Sequence, residues 1–541
     1  MQASSSLQKP FLFLLIGLIS LGIFSRFYHI RENTFVYYDE GLYLSENLQF
    51  VTLIENFPPH SLSELLSILK ASLGRALGTG KAIWFFLSDL RGFGLGAKAY
   101  YFPRVLAAIF GTLTLGGVFL FARKYYSSKT VPVIATAMLA LLPSHIYYSR
   151  LTMQETFSAF CFLLGMYWYV SNEKLNWKVF LSAVFFGATF FSNYRMIVIP
   201  ALTLFAEIWS AWANRYKPDI QKYVWHTVAF FAQVFVIGNL FHGENTYVVF
   251  AWMFHQTQLA EGKFEWLNLL SYPYYTFKLE SVFFGLLFWG NIYYVIKRKW
   301  DRLFPFMLVV VLMSVFSLPQ DKAVRYLCVA MPFMAMAAGF VLNDLFENLN
   351  GKFWRWALVG FSIVLVTWHI LKADTIMQFR NDYETSMEEL STESHGAKIL
   401  SSQPFVQKLF VSDSSKVEAL PKNPTALINA YRQGYQYLII DPQAYVSYAE
   451  EDKRFFPQLV GYLQFITQAV PPKKVYPHFN AALLERFVFE HNENLRRSLA
   501  FLSSAKKGRF SSLYVYDIDR CIVAMSHALR RAAERGGENG N

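Results

Sequence analysis

The run PRVLAAIFGTLTLGGVFLFA, residues 103–122, carries a single charged side chain, Arg104, in twenty residues. An α-helix needs about twenty predominantly apolar residues to cross the hydrocarbon core of a bilayer. Similar, in part shorter, apolar runs recur along the chain and together predict a multi-pass α-helical membrane protein with about eleven transmembrane helices. The other runs lie near residues 10–29, 131–148, 156–171, 178–193, 196–213, 224–241, 281–296, 303–319, 326–345 and 356–372.

The overall composition agrees with this class. Of 541 residues, 54% are hydrophobic and 16% are charged, whereas an ordinary soluble domain is about 25% charged. The net charge of +12 does not indicate nucleic acid, because Lys and Arg cluster between the apolar runs and no nucleic-acid motif is present. Cys161, Cys328 and Cys521 are too scattered to imply a disulfide framework or a thiolate metal site.

Positive residues fall on alternate short loops, and this pattern predicts the orientation. Loops rich in Lys and Arg stay in the cytoplasm, so we expect an inner (plasma) membrane protein with a cytoplasmic N-terminus. An odd number of crossings then places the C-terminal segment on the extracytoplasmic side. The basic loops contain Lys9, Arg123, Lys124, Lys129, Lys174, Lys178, Arg215, Lys217, Lys222, Lys297, Arg298, Lys299, Arg302, Lys352 and Arg355.

Residues 1–375 form the membrane domain in this prediction, and two of its outer loops are long. The first, residues 30–102, carries a stripe of leucines between Leu62 and Leu77 that is typical of a helix lying in the membrane interface. The second, residues 242–280, is rich in Trp, Tyr and His. Its aromatic rings would form either an interfacial belt or stacking platforms for a sugar.

The remaining sequence changes character and predicts an extracytoplasmic α/β domain over residues 376–529. It contains no glycine-rich phosphate loop and no nucleophile elbow, so we assign it to acceptor binding or structural support. The polar, glycine-rich tail, residues 530–541, is predicted to be disordered. Strands are expected at residues 397–401, 436–441, 486–490 and 512–517, and helices at 424–433 and 492–505.

An acidic pair stands out in the first outer loop. The stretch YYDEGLY, residues 37–43, places Asp39 and Glu40 about ten residues after the first apolar run. A carboxylate at a membrane surface is poorly solvated, so it needs a cationic partner or a function that uses a raised pKa. The alternative is a pair of solvated loop charges.

Cations also flank the apolar runs on the outer side, where topology disfavours them. Each could be explained by its side chain reaching toward lipid headgroups. Their joint occurrence on the side that carries Asp39, Glu40 and Glu155 instead favours a site that binds phosphate and contains carboxylates. These cations are Arg104, Arg150, Arg195, Lys322 and Arg325.

Several motifs of the membrane domain occur together: Tyr38-Asp39-Glu40, Arg104 at the start of the second run, LPSHIYYSR at residues 142–150 followed by Glu155, and Lys322-x-x-Arg325-Tyr326. As a set, over about residues 10–375, they resemble the family 39 type glycosyltransferases. That group has the membrane-embedded GT-C fold and includes protein O-mannosyltransferases and lipid A aminoarabinose transferases. The resemblance implies inverting transfer of a sugar from a polyprenyl phosphate carrier to an acceptor on the outer face.

The resemblance also implies roles for individual residues. Asp39 matches the general base, Glu40 is its neighbour, and Glu155 matches a second acidic position that is Asp in many relatives. Lys81 resembles a phosphate-binding lysine, although the glutamate and prolines that flank it in relatives are missing here. The other residues assigned to the donor phosphate are Arg104, Arg150, Arg195, His255, Lys322, Arg325 and Tyr326.

The mechanism these residues could support is a single displacement. Asp39 would take the proton of the acceptor hydroxyl, and the cations would stabilise the departing phosphate. No cofactor is expected to be required; a divalent cation, if used, would bind Glu155 and His255. The expected partners are the polyprenyl phosphate-linked sugar, an acceptor glycan, lipid or protein, and the bilayer. A transporter or flippase of lipid-linked sugars and a non-catalytic sensor or assembly protein are the alternatives.

Overall fold

The computed structural model of the protein is mostly helical, with one small β-sheet. The chain divides into two compact units. One unit contains Met1–Ile30, Asn47–Gln378 and Phe489–Asn492, and the other contains Arg31–Glu46, Phe379–Val488 and Glu493–Asn541. The structure describes residues 5–31, 38–77, 80–96, 99–172, 174–215, 217–242, 269–318, 324–349, 351–378, 382–393, 396–411, 413–421, 423–440, 463, 465–477 and 512–538.

The predicted apolar runs all form helices, although several are interrupted. In chain order the helices up to residue 377 are α1 Ser5–Phe27, α2 Tyr38–Asn56, α3 Leu62–Leu77, α4 Ala82–Asp89, α5 Phe102–Tyr125, α6 Val131–Leu141, α7 Pro143–Tyr148, α8 Glu155–Val170, α9 Trp177–Ser192, α10 Ile199–Asn214, α11 Ile220–His242, α12 Ser271–Tyr275, α13 Val282–Trp289, α14 Asn291–Ile296, α15 Phe304–Ser317, α16 Met331–Asn348 and α17 Lys352–Met377.

Among the described residues, four helical stretches are long and apolar enough to cross a membrane. They are Phe102–Tyr125, Tyr194–Ala213, Val324–Asn348 and Lys352–Met377. Shorter apolar helices accompany them at Phe13–Phe27, Val131–Leu141, Trp177–Ser192, Val282–Ile296 and Phe304–Ser317. The count of eleven crossings stays a prediction.

The run predicted as one helix over residues 131–148 is broken into α6 and α7. Leu142 is extended, with ψ of 115°, because a residue before proline avoids the helical region. Pro143 then starts α7, where its missing N–H costs no hydrogen bond. The break lets the chain change direction just before the Ser149-Arg150 pair.

Glycines allow close contact between helices of the first unit. A Cβ atom at Gly22 would lie 2.4 Å from the carbonyl oxygen of Ala140, and one at Gly339 would lie 3.0 Å from the backbone of Ala135. These contacts pack α1 and α16 against α6. Most side chains of α6 are at least nine-tenths buried. Helix α6 therefore lies at the centre of the bundle.

The second unit contains a five-stranded sheet with the order β2-β1-β3-β5-β4. Strand β3 pairs with β1 in parallel and with β5 in antiparallel orientation. Leu438 of β3 is fully buried and belongs to the same core as Leu400, Leu427 and Tyr516. The strands are β1 Lys398–Ser401, β2 Val417–Ala419, β3 Tyr435–Ile440, β4 Lys474–Pro477 and β5 Ser512–Asp517, and the helices are α18 Tyr383–Glu393, α19 Pro404–Gln407, α20 Pro424–Arg432 and α21 Ile518–Glu538.

The structure differs from the sequence-based prediction of this unit in two respects. It adds strands β2 and β4, and it continues helix α21 to Glu538, where a disordered tail from residue 530 was predicted. Cys521 and Ile518 of α21 are buried against the sheet, so the helix has one apolar face despite its charged composition. The strand predicted at 486–490 and the helix at 492–505 lie outside the described residues. The domain limits at 375 and 529 stay predictions.

Candidate functional site

The predicted site residues of the first unit lie at helix ends or in the turns beside them. Most of them lie at N-terminal ends, and only Arg150 follows a C-terminal end. Lys81 precedes α4, Arg104 is in the first turn of α5, Arg150 follows α7, Glu155 begins α8, Arg195 lies in a 3-10 turn before α10, and Arg325 and Tyr326 lie in a 3-10 turn before α16.

Hydrogen bonds bring the neighbourhoods of Lys81 and Arg195 together. The backbone N–H of Tyr194 donates to the carbonyl of Gly80 over 3.4 Å, and the buried Tyr194 hydroxyl donates to the carbonyl of Leu77 over 2.7 Å. Lys81 directly follows Gly80 in the sequence, and Arg195 directly follows Tyr194. Tyr194 therefore joins the end of α9 to the turn between α3 and α4.

Trp84 joins the same turn to the segment before Glu155. Its indole Nε1 donates to the carbonyl of Thr152 over 3.2 Å, and its ring packs in one cluster with Phe157 and Ala107. Ala107 lies one helical turn after Arg104. The surroundings of Lys81, Arg104 and Glu155 consequently meet at a single buried tryptophan.

Tyr326 gathers two arginines. The Nη2 atom of Arg195 donates to the Tyr326 hydroxyl over 2.9 Å, and its guanidinium carbon lies 4.0 Å from the ring centroid. The Arg325 guanidinium lies 5.6 Å from the same centroid. The negative face of the ring attracts both cations, which offsets the repulsion between them.

Arg150 has a structural contact that the sequence did not reveal. Its Nη1 atom donates to the carbonyls of Ser25 over 2.7 Å and of Tyr28 over 2.8 Å, at the C-terminal end of α1. Carbonyls at the C-terminal end of a helix receive no hydrogen bond from within the helix, so the Arg150 guanidinium caps α1. Burial and, to a smaller extent, the neighbouring Arg104 together lower the pKa of Arg150 to about 10. The group stays charged at neutral pH.

Arg26 is a second buried arginine, and our sequence analysis did not include it among the site residues. It donates to the carbonyls of Ala140 over 2.9 Å and Leu139 over 3.1 Å, and it contacts His145 Nδ1 at 2.7 Å. It therefore supports the break between α6 and α7. Its place at the end of an apolar run that is predicted to face outward was the available signal, the same one that identified Arg104.

Solvent exposure separates the predicted residues into two sets. Arg104, Glu155 and Tyr326 are buried, at 1%, 4% and 5% exposure. Arg150, at 5% exposure, belongs with them. In contrast, Lys81, Arg195 and Arg325 are partly exposed. A ligand could therefore reach these three cations directly, while the buried residues surround them or support the helices.

Asp39 and Glu40 lie in the first turn of α2, in the part of the chain that belongs to the second unit. Glu40 is fully buried. Next to it, a Cβ atom at Gly41 would lie 2.8 Å from the Cα atom of Val406, so the glycine permits close packing there. The side chain of Asp39 lies outside what the structure describes, as do His255 and Lys322. The roles assigned to these three residues stay predictions.

Metal binding was assigned to Glu155 and His255 only as a possibility. Within the described ranges, three or more His, Cys, Asp or Glu side chains do not come together in an arrangement that could hold a metal ion. Because His255 lies outside those ranges, the pair stays an untested prediction.

The sequence matches one family model. Residues 16–254 match the model for dolichyl-phosphate-mannose-protein mannosyltransferases. The match includes Asp39, Lys81, Arg104, Arg150, Glu155 and Arg195. No curated protein sequence matches the chain significantly.

Solved structures with a similar fold include ArnT from Cupriavidus metallidurans bound to undecaprenyl phosphate, at a TM-score of 0.50 and 12% identity, covering 82% of this chain and 95% of that one. They also include the oligosaccharyltransferase AglB from Archaeoglobus fulgidus in complex with an inhibitory peptide and a dolichol-phosphate, at a TM-score of 0.51 and 13% identity, covering 87% and 74%. AglB in complex with Zn and sulfate gives a TM-score of 0.51 and 14% identity, covering 83% and 70%. Both relatives are GT-C glycosyltransferases, and at these identities the likeness concerns the fold.

Proposed function

We propose that this chain, which has the GT-C fold and is similar to the family 39 type enzymes, is a membrane glycosyltransferase that transfers a sugar from a polyprenyl phosphate carrier to an acceptor at the extracytoplasmic face. One observation carries the proposal. The accessible cations Lys81, Arg195 and Arg325 lie at helix ends that hydrogen bonds and packing connect to the buried Glu155. The lipid phosphates bound to ArnT and AglB are ligands of the same chemical class.

The cations suit a lipid phosphate. Arginine presents a planar set of donors that matches phosphate geometry, and charge-assisted hydrogen bonds are stronger than neutral ones. Tyr326 holds the Arg195 guanidinium through its hydroxyl and its ring, so less side-chain entropy is lost when the phosphate binds. Lys81 would add a point charge next to the hydrogen bond that the Tyr194 N–H donates to the Gly80 carbonyl.

The proposed reaction is one displacement with inversion. The acceptor oxygen forms a bond to the anomeric carbon while the bond from that carbon to the phosphate oxygen breaks. The lipid phosphate departs with the electron pair, and the cations stabilise its charge. Asp39 takes the proton of the acceptor hydroxyl. Glu155, buried at the start of α8, would orient Arg104 or bind the acceptor.

The membrane orientation belongs to the proposal as well. Arg123 and Lys124 lie in the last turn of α5, at the end opposite Arg104, which favours a cytoplasmic location for that end. The protein would then be an inner-membrane enzyme with its N-terminus in the cytoplasm and its α/β unit outside. A divalent cation is not part of the proposed mechanism, and transfer after chelation with EDTA would test that point.

Transfer by the purified full-length protein in lipid nanodiscs tests the function. Mass spectrometry of lipid-linked sugars in a deletion strain would first identify the accumulated donor, which then serves as the labelled substrate, and the envelope fraction of that strain supplies the acceptor. Asp39→Asn should lower the transfer rate about 10²- to 10⁴-fold, as expected for loss of a general base. Glu388→Gln, an exposed carboxylate of α18, is the matched control and should transfer normally.

Two results would contradict the proposal in different ways. Normal transfer by a folded Asp39→Asn protein would exclude this residue as the base. Movement of the lipid-linked sugar across the bilayer by the wild type, without any transfer, would favour the flippase instead.

A further inference from the structure

A second group of cations lies at the end of the helices opposite Arg104. Helix α5 joins the two ends, because Arg104 is in its first turn and Arg123 and Lys124 are in its last turn. Arg123 follows Arg104 by 19 residues, which corresponds to roughly 29 Å at 1.5 Å per residue. This length is close to the thickness of a hydrocarbon core. A ligand of the second group would therefore lie in the other leaflet of the membrane.

Three tryptophans pack together at this end. The ring centroids of Trp212 in α10 and Trp300 lie 4.7 Å apart, and the Trp209 ring lies 5.3 Å from the first and 5.9 Å from the second. Trp300 and Asp301 belong to a 3-10 turn. The Tyr125 hydroxyl donates to the Asp301 carbonyl over 2.6 Å. The ends of α5 and α10 and this turn therefore form one surface, which we call the tryptophan surface.

The tryptophan surface is strongly basic. Its segments 123–125, 209–215 and 297–302 contain seven cationic side chains and one carboxylate, Asp301. The Arg302 Nε atom lies 3.5 Å from this carboxylate, and both side chains are exposed, so their ion pair contributes little. An excess of one charge attracts a ligand of the opposite charge. The cations are Arg123, Lys124, Arg215, Lys297, Arg298, Lys299 and Arg302.

Two of these arginines have a backbone conformation that favours glycine. Arg215 after α10 has a φ of 58°, and Arg298 after α14 has a φ of 55°. Among the described residues, one other non-glycine residue, His29, has a positive φ. A side chain raises the energy of this conformation, so glycine is the usual residue there. A cation can also interact with a helix C-terminus from a helical position. Arginine at both places therefore favours a function for the two charges.

An apolar stripe continues from the tryptophan surface along α10. Leu204, Ile208 and Trp212 are spaced by four residues and are 40%, 53% and 53% exposed, so they lie on one side of the helix. Trp209 is 8% exposed, and its indole N–H has no acceptor within the part of the chain that the structure describes. A buried indole N–H usually has a hydrogen-bond partner. The stripe suits an acyl chain, and the N–H suits an ester or phosphate oxygen.

We propose that the tryptophan surface binds an anionic phospholipid. The phosphate would lie at Arg215 and Arg298, an ester oxygen at the Trp209 N–H, and an acyl chain along the α10 stripe. Arginine presents a planar set of donors to phosphate, and basic pockets between transmembrane helices bind such headgroups. The contact between Trp212 and Trp300 joins the two segments that carry the arginines, so part of the site is formed before the lipid binds. This site does not depend on sugar transfer.

Native mass spectrometry of the full-length protein in detergent tests the site. The probes are phosphatidylglycerol and phosphatidylcholine with identical acyl chains. We expect phosphatidylglycerol to bind at least about tenfold more tightly, because each nearby cation favours the anionic headgroup. The double variant Arg215→Gly, Arg298→Gly should bind phosphatidylglycerol about tenfold more weakly, with unchanged affinity for phosphatidylcholine. Its unfolding midpoint in detergent without lipid should equal or exceed that of wild type, because glycine suits a positive φ.

A second pair of substitutions leaves the positive φ angles untouched. Lys297→Gln, Lys299→Gln removes two exposed cations of the same surface, at residues with φ of −79° and −90°. This variant should also bind phosphatidylglycerol about tenfold more weakly. It tests the site even if the glycine variant does not fold.

A matched control separates a site from general attraction of charge. Lys352→Gln, Arg355→Gln at the start of α17 removes two exposed cations beside the exposed Trp354, and it should leave the affinity for phosphatidylglycerol unchanged. Equal affinity of the wild type for the two lipids, an equal loss in this control, or unchanged affinity in both surface variants would overturn the proposal. Displacement of the bound lipid by an excess of glycerol phosphate would also overturn it, because the ligand would then be a soluble phosphate.

Discussion

Arginines next to the ends of the apolar helices have two different tasks. Arg150 and Arg26 donate to main-chain carbonyls at the ends of α1 and α6, while Arg195 is partly exposed and is held by Tyr326. In the sequence all three occupy the same kind of position, next to an apolar run. The pattern therefore identified these arginines as candidates, and it could not predict which of them would bind the carbonyls at the end of a neighbouring helix.

The contact between Arg195 and Tyr326 gives a prediction about donor binding. Tyr326→Phe keeps the ring beneath the guanidinium and removes the hydroxyl acceptor, and a hydrogen bond to a charged group contributes about 1.5–3 kcal/mol. We expect the half-saturating concentration of lipid-linked sugar to rise about tenfold with the maximal rate little changed. Arg195→Lys should have a larger effect, because lysine lacks the planar set of donors.

Steady-state transfer in nanodiscs measures both variants. Tyr293→Phe, at an exposed tyrosine of α14, is a matched control for the loss of a hydroxyl. If Tyr326→Phe raised the half-saturating donor concentration no more than the control, the two residues would have no part in donor binding.

Helices were predicted well from sequence, since an apolar run of the right length has few alternatives. The interruptions were harder. Residues 131–148 contain few polar side chains, so Pro143 was the clearest signal for the end of α6. The gap between the runs that end at 193 and begin at 196 became a 3-10 turn at 194–198, capped by the Asn193 side chain. In the second unit, β2 has three residues and β4 four, too few to display an alternating pattern.

Close packing of α1 on α6 predicts opposite effects for two glycines of one helix. A Cβ atom at Gly22 would lie 2.7 Å from the Cβ atom of Ala140 and closer to its carbonyl, whereas one at Gly17 would meet nothing within 4 Å. Gly22→Ala should destabilise the protein by about 1–3 kcal/mol through overpacking. Gly17→Ala should leave stability unchanged or raise it by about 0.5–1 kcal/mol, because alanine favours helix.

Thermal unfolding in detergent, followed by tryptophan fluorescence, compares the two variants. A lower midpoint for Gly22→Ala than for wild type, with Gly17→Ala equal or higher, is the expected order. Equal midpoints for both variants would mean that α1 can shift away from α6 at no cost.

At the level of the whole chain, the second unit should respond to acid. Hydrogen bonds from Tyr476 and Lys474 lower the pKa of Glu389, and hydrogen bonds from Lys474 and Lys473 lower that of Glu393. A carboxyl whose pKa is lowered by folding contributes stability above its unfolded pKa. That contribution is lost as the pH falls below about 4.5 and through the lowered folded values. The contact of α18 with β4 should therefore loosen in acid.

Hydrogen exchange of the full-length protein between pH 7 and pH 3, corrected for the intrinsic exchange rate, would follow this change. Protection of residues 383–393 and 474–477 should fall with decreasing pH. In the double variant Glu389→Gln, Glu393→Gln, protection should be lower at pH 7 and nearly independent of pH. A wild-type profile as flat as that of the variant would exclude these carboxylates as the acid-sensitive contact.

Helix α6 is short, and its length affects how deep in the membrane the sugar transfer would take place. Its eleven residues span roughly 16 Å, about half of a hydrocarbon core of roughly 30 Å. Most of its side chains are buried within the protein, so the missing length exposes no backbone to lipid. The turns that follow can then descend below the level of the lipid headgroups. A carrier phosphate held there would lie below its resting depth among the headgroups, so the donor and the acceptor would both have to move toward the protein interior for transfer.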